Sequence, residues 1–245
     1  MDIGLLLIGD ELTRGKREDK HFPHMREVLA ARGLEVAWVR IVGDDRARLT
    51  RHLRETFASG DLVFSFGGIG GTPDDLTREC AAASGRPLAR HPEAVVILEE
   101  RFGREAYPIR IRMAELPQGA TLIPNPVNRV PGFSVGDHHF LPGFPDMAWP
   151  MAEWVLDTRY RHLFDPQPPV ERRLRAEDTP ESALVPLMET VLAAWPEVQV
   201  SSLPSTGRRG RIELGVRGPR AQAEAAFAAM QSGLDDLGVA WTVLS

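Results

Sequence analysis

The sequence predicts an α/β protein: a mostly parallel, three-layer sheet domain followed by a small α+β domain of βαββαβ order. Three observations carry that reading. Near-continuous apolar runs such as Ile3-Gly4-Leu5-Leu6-Leu7-Ile8 and Leu62-Val63-Phe64-Ser65-Phe66 alternate with stretches of helical spacing, the mark of strands buried on both faces. Glycine-rich breaks stand where those runs end. Residues 165–169 hold three prolines in five positions, after which the pattern changes to shorter elements in a different order.

In order, the first strand ends at Gly9. Phe22, Met25, Val28 and Leu29 share one helical face, and Gly33 is placed to stop that helix. Residues 36–42 form a second strand, Asp44 or Asp45 caps a helix over 46–59, and residues 62–66 form the third strand. A glycine-rich turn leads to a helix over 76–84, Pro92 opens another to about 102, and residues 120–123 form a short strand. Gly136-Asp137 turns a hairpin between 133–135 and 139–141, expected near an edge of the sheet, ahead of a helix over 146–156. Beyond the prolines come strand 170–175, helix 180–194, strands 198–203 and 211–216, helix 219–237 and strand 239–244. The expected domains are residues 1–164 and 170–245.

The chain has 245 residues, 43% of them hydrophobic, enough to bury one core and plausibly two. A formal charge of -5 gives no general reason to bind nucleic acid or an acidic membrane. The one cysteine, Cys80, sits in an apolar helical run and fits a reducing cytoplasm. The first apolar run is too short for a signal core or a membrane span.

The strongest chemical signal is Gly67-Gly68-Ile69-Gly70-Gly71-Thr72-Pro73-Asp74-Asp75, at the carboxyl end of a buried strand and opening a helix. Open α/β sheets bind ligands at that place. Glycines let successive amides face one concavity, and the helix start favours an anion such as phosphate. Two carboxylates would repel phosphate, so a divalent cation, magnesium being the simplest, is expected between them. The plainer alternative is a glycine-rich turn with Asp75 capping the helix. Asp10 and Glu11 come directly after the first strand and reach the same sheet edge if the strands are parallel. Asp44 and Asp45 come after the second, but capping explains them. Rigid Pro/Gly turns around Asn125 and at Pro142-Gly143 can wall a pocket. The histidines make no zinc cluster, and no nucleophile elbow is present. Gly207-Arg208-Arg209-Gly210 matches a G-x-x-G turn of RNA-binding modules, although a hairpin loop explains its glycines as well.

Taken together, Ile8-Gly9-Asp10-Glu11-Leu12, Val42-Gly43-Asp44-Asp45, Gly67-Gly68-Ile69-Gly70, Asp74-Asp75-Leu76-Thr77, His91-Pro92-Glu93-Ala94, Asn125-Pro126-Val127 and Leu141-Pro142-Gly143 resemble the molybdopterin-binding domain of the competence/damage-inducible (CinA-like) family, related to MoaB and MogA proteins. The C-terminal segment resembles the KH-type domain that comes next in that family. The resemblance does not extend to the deamidase domain that ends longer members, so that activity is not expected of these residues. The resemblance implies binding of molybdopterin or its adenylylated form, or metal-dependent hydrolysis of the pyrophosphate of ADP-ribose or FAD. On the hydrolase reading Gly67, Gly68 and Gly70 hold phosphate, Asp75 and Asp10 serve catalysis and metal, Glu11 adds a carboxylate, Thr77 anchors the loop, and Asn125, Pro142 and Gly143 line the pocket. A binding protein of molybdenum cofactor metabolism that does not turn its ligand over is the alternative. A small phosphate-bearing ligand and self-association into a homo-oligomer are the expected partnerships; membrane and nucleic acid are not. The chain departs from the family pattern at Thr13-Arg14, Gly71 and Phe144.

Overall fold

A computed structural model describes residues 1–205 and 210–244. Its chain divides into two compact units, Met1–Phe164 and Asp165–Ser245. The first unit contains β1 (Ile3–Ile8), α1 (Asp10–Thr13), α2 (His21–Ala30), β2 (Trp38–Val42), α3 (Arg46–Ser59), β3 (Leu62–Phe66) and α4 (Thr77–Ala83). It continues with β4 (Leu88–Arg90), α5 (Pro92–Phe102), β5 (Glu115–Pro117), β6 (Thr121–Ile123), β7 (Gly132–Val135), β8 (His138–Leu141) and α6 (Pro145–Arg159).

The main sheet runs β2-β1-β3-β8-β7-β6. Strands β2, β1, β3 and β8 are mutually parallel, so four carboxyl ends lie along one edge. Side chains of a strand alternate between its faces, which explains the apolar continuity of β1 and β3. Leu5, Leu7, Phe64 and Phe66 pack with Met25 and Leu29 of α2 and Met151 and Val155 of α6. On the other face Leu6, Ile8 and Val63 pack with Leu49 and Leu53 of α3 and Cys80 of α4. Helix, sheet and helix thus form three layers around two apolar interfaces.

The β7–β8 hairpin forms as the Gly136 turn requires, but β8 lies inside the sheet against β3, not near an edge. His138 and His139 look polar in sequence, yet both are buried and bonded on opposite faces. His138 Nε2 meets Ser65 Oγ at 2.8 Å, while His139 Nδ1 and Nε2 meet Ser134 Oγ and Tyr160 Oη at 2.8 Å each. Burial pulls the His138 pKa down to about 3, and that of His139 well below its ordinary value, so both stay neutral. A neutral imidazole can occupy a central strand where a charged one could not.

The second unit orders β9 (Val170–Ala176), α7 (Glu181–Ala194), β10 (Gln199–Pro204), β11 (Ile212–Gly218), α8 (Arg220–Asp236) and β12 (Trp241–Leu244). Its sheet runs β10-β11-β9-β12, antiparallel throughout, the split-βαβ arrangement. Leu174, Leu214, Val216, Leu184 and Met230 centre its core. Gly207-Arg208-Arg209 of the G-x-x-G match lie outside the described residues. Among the described residues no helix is long and apolar enough to cross a membrane.

Candidate functional site

Because β1, β2, β3 and β8 are parallel, the loops at their carboxyl ends converge: Gly9–Glu11, Gly43–Asp44, Gly67–Asp75 and Pro142–Phe144. They enclose a cleft of about 520 Å³. Of the residues singled out in the sequence, Gly67, Gly68, Gly70, Asp75, Glu11, Asn125, Pro142 and Gly143 line it. Thr77 and Asp10 stand behind the lining.

The glycine loop is held open by its own geometry. Gly67 has φ +106°, and a Cβ there would strike the Ile8 carbonyl; Gly68 has φ +66°, and a Cβ would strike Thr77 Oγ1. Both positions require glycine. Thr77 closes the turn from below: its hydroxyl donates to the Gly67 carbonyl and its amide to the Gly68 carbonyl, each at 3.0 Å. Asp75 closes it from the far side, where Oδ2 accepts from the Thr72 amide at 2.8 Å and from Thr72 Oγ1 at 2.5 Å.

Arg78 completes this frame, and sequence reading passed it over. The residue is 4% exposed. Its Nε and Nη2 donate to the Gly70 carbonyl at 3.2 and 2.8 Å, and its Nη1 donates to the carbonyls of Arg112 and Glu115. One rigid guanidinium fork therefore ties the loop to the segment preceding and opening β5. Burial lowers its pKa, while Glu115 and Asp75 act in the opposite sense. Position directly after Thr77 in the loop-helix junction was the only available sequence signal.

Asp10 and Asp44 bracket one another. The Asp10 amide donates to Asp44 Oδ2 at 2.9 Å, and the Asp44 amide returns a bond to Asp10 Oδ1 at 3.1 Å. Asp10 also pairs with Arg14 at 2.5 Å. Consequently Asp44, half-buried, faces the cleft, while Asp45 caps α3 by accepting from the Arg48 amide. Burial holds the Asp44 carboxyl above the usual carboxylate range, and the charges of Asp10, Glu11 and Asp74 push it the same way against the Asp10 amide. The cleft thus gathers the carboxylates of Glu11, Asp44, Asp74 and Asp75, with Arg17 also in its lining.

Opposite stand Asn125 and Asn128. The Asn125 amide nitrogen donates to the Val130 carbonyl at 3.0 Å, and its oxygen accepts from the amides of Val127 and Asn128. Its polar atoms therefore shape the turn first. Phe144, 58% exposed, forms an apolar lip with Met147, Phe102 and Met113. Among the described residues no three carboxylate, imidazole or thiol groups come together as a ready-made metal site.

Residues 4–162 match the family described as a probable molybdopterin binding domain. A CinA-like protein of Anaeromyxobacter sp. (strain Fw109-5) is 36% identical over 244 residues, covering 89% of this chain and 59% of that protein. A CinA-like protein of Myxococcus xanthus (strain DK1622) is 32% identical over 225 residues, covering 89% and 51%. The chain therefore spans about half to three fifths of the length of these relatives. A crystal structure of the protein CinA, of unknown function, from Thermoplasma acidophilum superposes with a TM-score of 0.59 and 27% identity, covering 64% of this chain and 96% of that one.

Proposed function

The chain belongs to the CinA-like family through its molybdopterin-binding domain, and from that premise we propose that the cleft binds a phosphate-bearing pterin or nucleotide with a divalent cation and cleaves its diphosphate. The observation that carries this reading is the meeting, in one cleft, of an open glycine loop with the carboxylates of Glu11, Asp44, Asp74 and Asp75. Amides at strand and helix ends attract anions, and carboxylates attract cations; a metal-phosphate pair satisfies both.

The donor set fits magnesium of the kind that takes one or two carboxylates and fills its remaining positions with phosphate oxygens and water. The raised pKa of Asp44 fits too: burial and the charges of Asp10, Glu11 and Asp74 disfavour its ionised form, and a cation beside it would favour that form. In this reading Asp75 and Asp44 face the ion, Glu11 adds charge at its side, and Asp10 acts through Asp44 by fixing its carboxylate. Bound there, the ion would polarise the phosphorus and neutralise charge on the leaving oxygen. Gly68 and Gly70 offer backbone amides to phosphate oxygens, whereas the Gly67 amide is spent on the Leu141 carbonyl at 3.0 Å and ties the loop to β8; Thr77 and Arg78 keep the loop in place, and Pro142-Gly143 limits where the remainder of the ligand lies.

Incubating the protein with magnesium and ADP-ribose, FAD, NAD or adenylylated molybdopterin, and assaying for released mononucleotide, tests the proposal. Release from at least one of them, abolished by Asp75→Asn, supports hydrolysis. Tight binding without product from any of them supports a carrier of molybdopterin or nucleotide in molybdenum cofactor metabolism instead.

A further inference from the structure

Among the described residues lining the cleft, Arg17 is the only lysine or arginine, set against the carboxylates of Glu11, Asp44, Asp74 and Asp75. Its backbone is not a loose tail. After α1 the chain folds back on Glu11, whose carbonyl accepts from the amides of both Lys16 and Arg17, at 2.8 and 3.1 Å. The residue is thereby fixed to a wall of the cleft, while its side chain stays exposed. Arg17 also lines an adjoining cavity of about 470 Å³ that shares Ile8, Glu11 and Gly143 with the cleft, so it stands at the divide between the two.

Other cations of this neighbourhood are already committed. Arg14 pairs with Asp10, Arg46 with Glu79, and Arg78 holds backbone carbonyls. The guanidinium of Arg17 forms no hydrogen bond or ion pair with any described residue, although Glu11, Glu18 and Asp19 are near it in the chain. Glu11 turns elsewhere: its carboxylate lies back over Gly9, with oxygens 2.5 and 2.7 Å from where a Cβ at Gly9 would stand. A guanidinium offers five donors in a planar fork that matches phosphate oxygens. Bordering four carboxylates and pairing with none, that fork is left for an anion that enters the cleft.

We propose that Arg17 is the phosphate clamp of this cleft, its guanidinium turning onto the phosphate oxygens that the glycine-loop amides and the cation leave unpaired. The proposal rests on the phosphate-binding reading of the cleft and deepens it, naming the side chain that binds the anion directly. The bonds from residues 16 and 17 to the Glu11 carbonyl aim the clamp; the free side chain closes it.

The test is titration calorimetry of the full chain with ribose 5-phosphate in magnesium. Arg17→Met should weaken binding about tenfold, the loss of a charge-assisted hydrogen bond, with an unchanged thermal midpoint because the side chain touches nothing in the free protein. Arg17→Gln, which keeps a polar chain without the charge, should lose as much and decides the matter if the methionine variant does not fold. Arg48→Met removes an equal charge from an exposed arginine of α3 outside the cleft lining and should change binding less than about twofold, as a distant, screened charge does. Wild-type affinity in the folded Arg17 variants, or an equal loss in Arg48→Met, overturns the proposal. If ribose 5-phosphate does not bind the wild type, the phosphate-binding reading fails and this inference falls with it; if it binds and the Arg17 variants bind as well, only this inference fails.

Discussion

Replacing Arg78 with methionine tests the frame on which the glycine loop hangs. The change removes four hydrogen bonds to three backbone carbonyls, those of Gly70, Arg112 and Glu115, while keeping most of the apolar volume. Charge-assisted bonds contribute about 1.5–3 kcal/mol each, but adding four of them overstates the loss, because removing a buried guanidinium also removes its desolvation cost. The carbonyls are backbone and stay behind. Gly70 borders the cleft and can be rehydrated, and the Arg112 carbonyl still accepts from the Glu115 amide, so the Glu115 carbonyl is the acceptor left orphaned, a net destabilisation of about 1–3 kcal/mol. Two units in one chain can unfold separately, so urea unfolding should be monitored by amide exchange within β3 and α4. Arg78→Lys should recover less than half of the loss, since an ammonium cannot span three carbonyls. Wild-type stability in Arg78→Met, to within about 0.5 kcal/mol, or full recovery in the lysine variant, would refute the assigned role.

The same geometry sets three further outcomes. His138 titrates near 6.5 unfolded and at about 3 folded, so below pH 6.5 the unfolded chain takes up a proton that the native chain refuses; stability is then complete above pH 6.5 and lost as pH falls, by about 2 kcal/mol at pH 5 for this group, and His138→Leu should flatten the slope measured by urea midpoints. Gly68→Ala forces a side chain into a left-handed backbone and against Thr77, and should weaken ribose 5-phosphate binding about tenfold while costing about 1–2 kcal/mol of stability, read by calorimetry and thermal unfolding. Asp44→Asn keeps an oxygen for the Asp10 amide but removes a charge; phosphate-ligand affinity should rise in the absence of magnesium and lose most of its magnesium enhancement, and an unchanged response to the ion would count against Asp44 as a cleft carboxylate.

Much of the scaffold was legible because local chemistry and tertiary need agree. The helix over 46–59 has the expected bounds: Asp45 caps it and Gly60 ends it in the left-handed region. The helix over 92–102 begins with His91 as cap and proline in its first turn. The loop positions of the site were legible too, because parallel strands bring the loops at their carboxyl ends to one edge. The finer arrangement was not. Whether Asp10 or Asp44 faces the cleft depends on reciprocal bonds across 34 residues, and Asp44 reads locally as one of two possible caps. Strands β4 and β5 have three residues each, too short for a period, and Arg78 reaches the carbonyls of Arg112 and Glu115 from far along the chain. His21 reads as polar helix-start punctuation until Phe66 and Gly143 are brought against it.

Amide exchange at residues 68–71, recorded with and without ADP-ribose and magnesium, reaches the glycine loop itself. If the amides there and the carboxylates around them hold a phosphate and a cation together, exchange at 68–71 slows when both are present and recovers when magnesium is withdrawn. Saturating ligand that leaves those amides unprotected, or protects another surface of the domain, would contradict it.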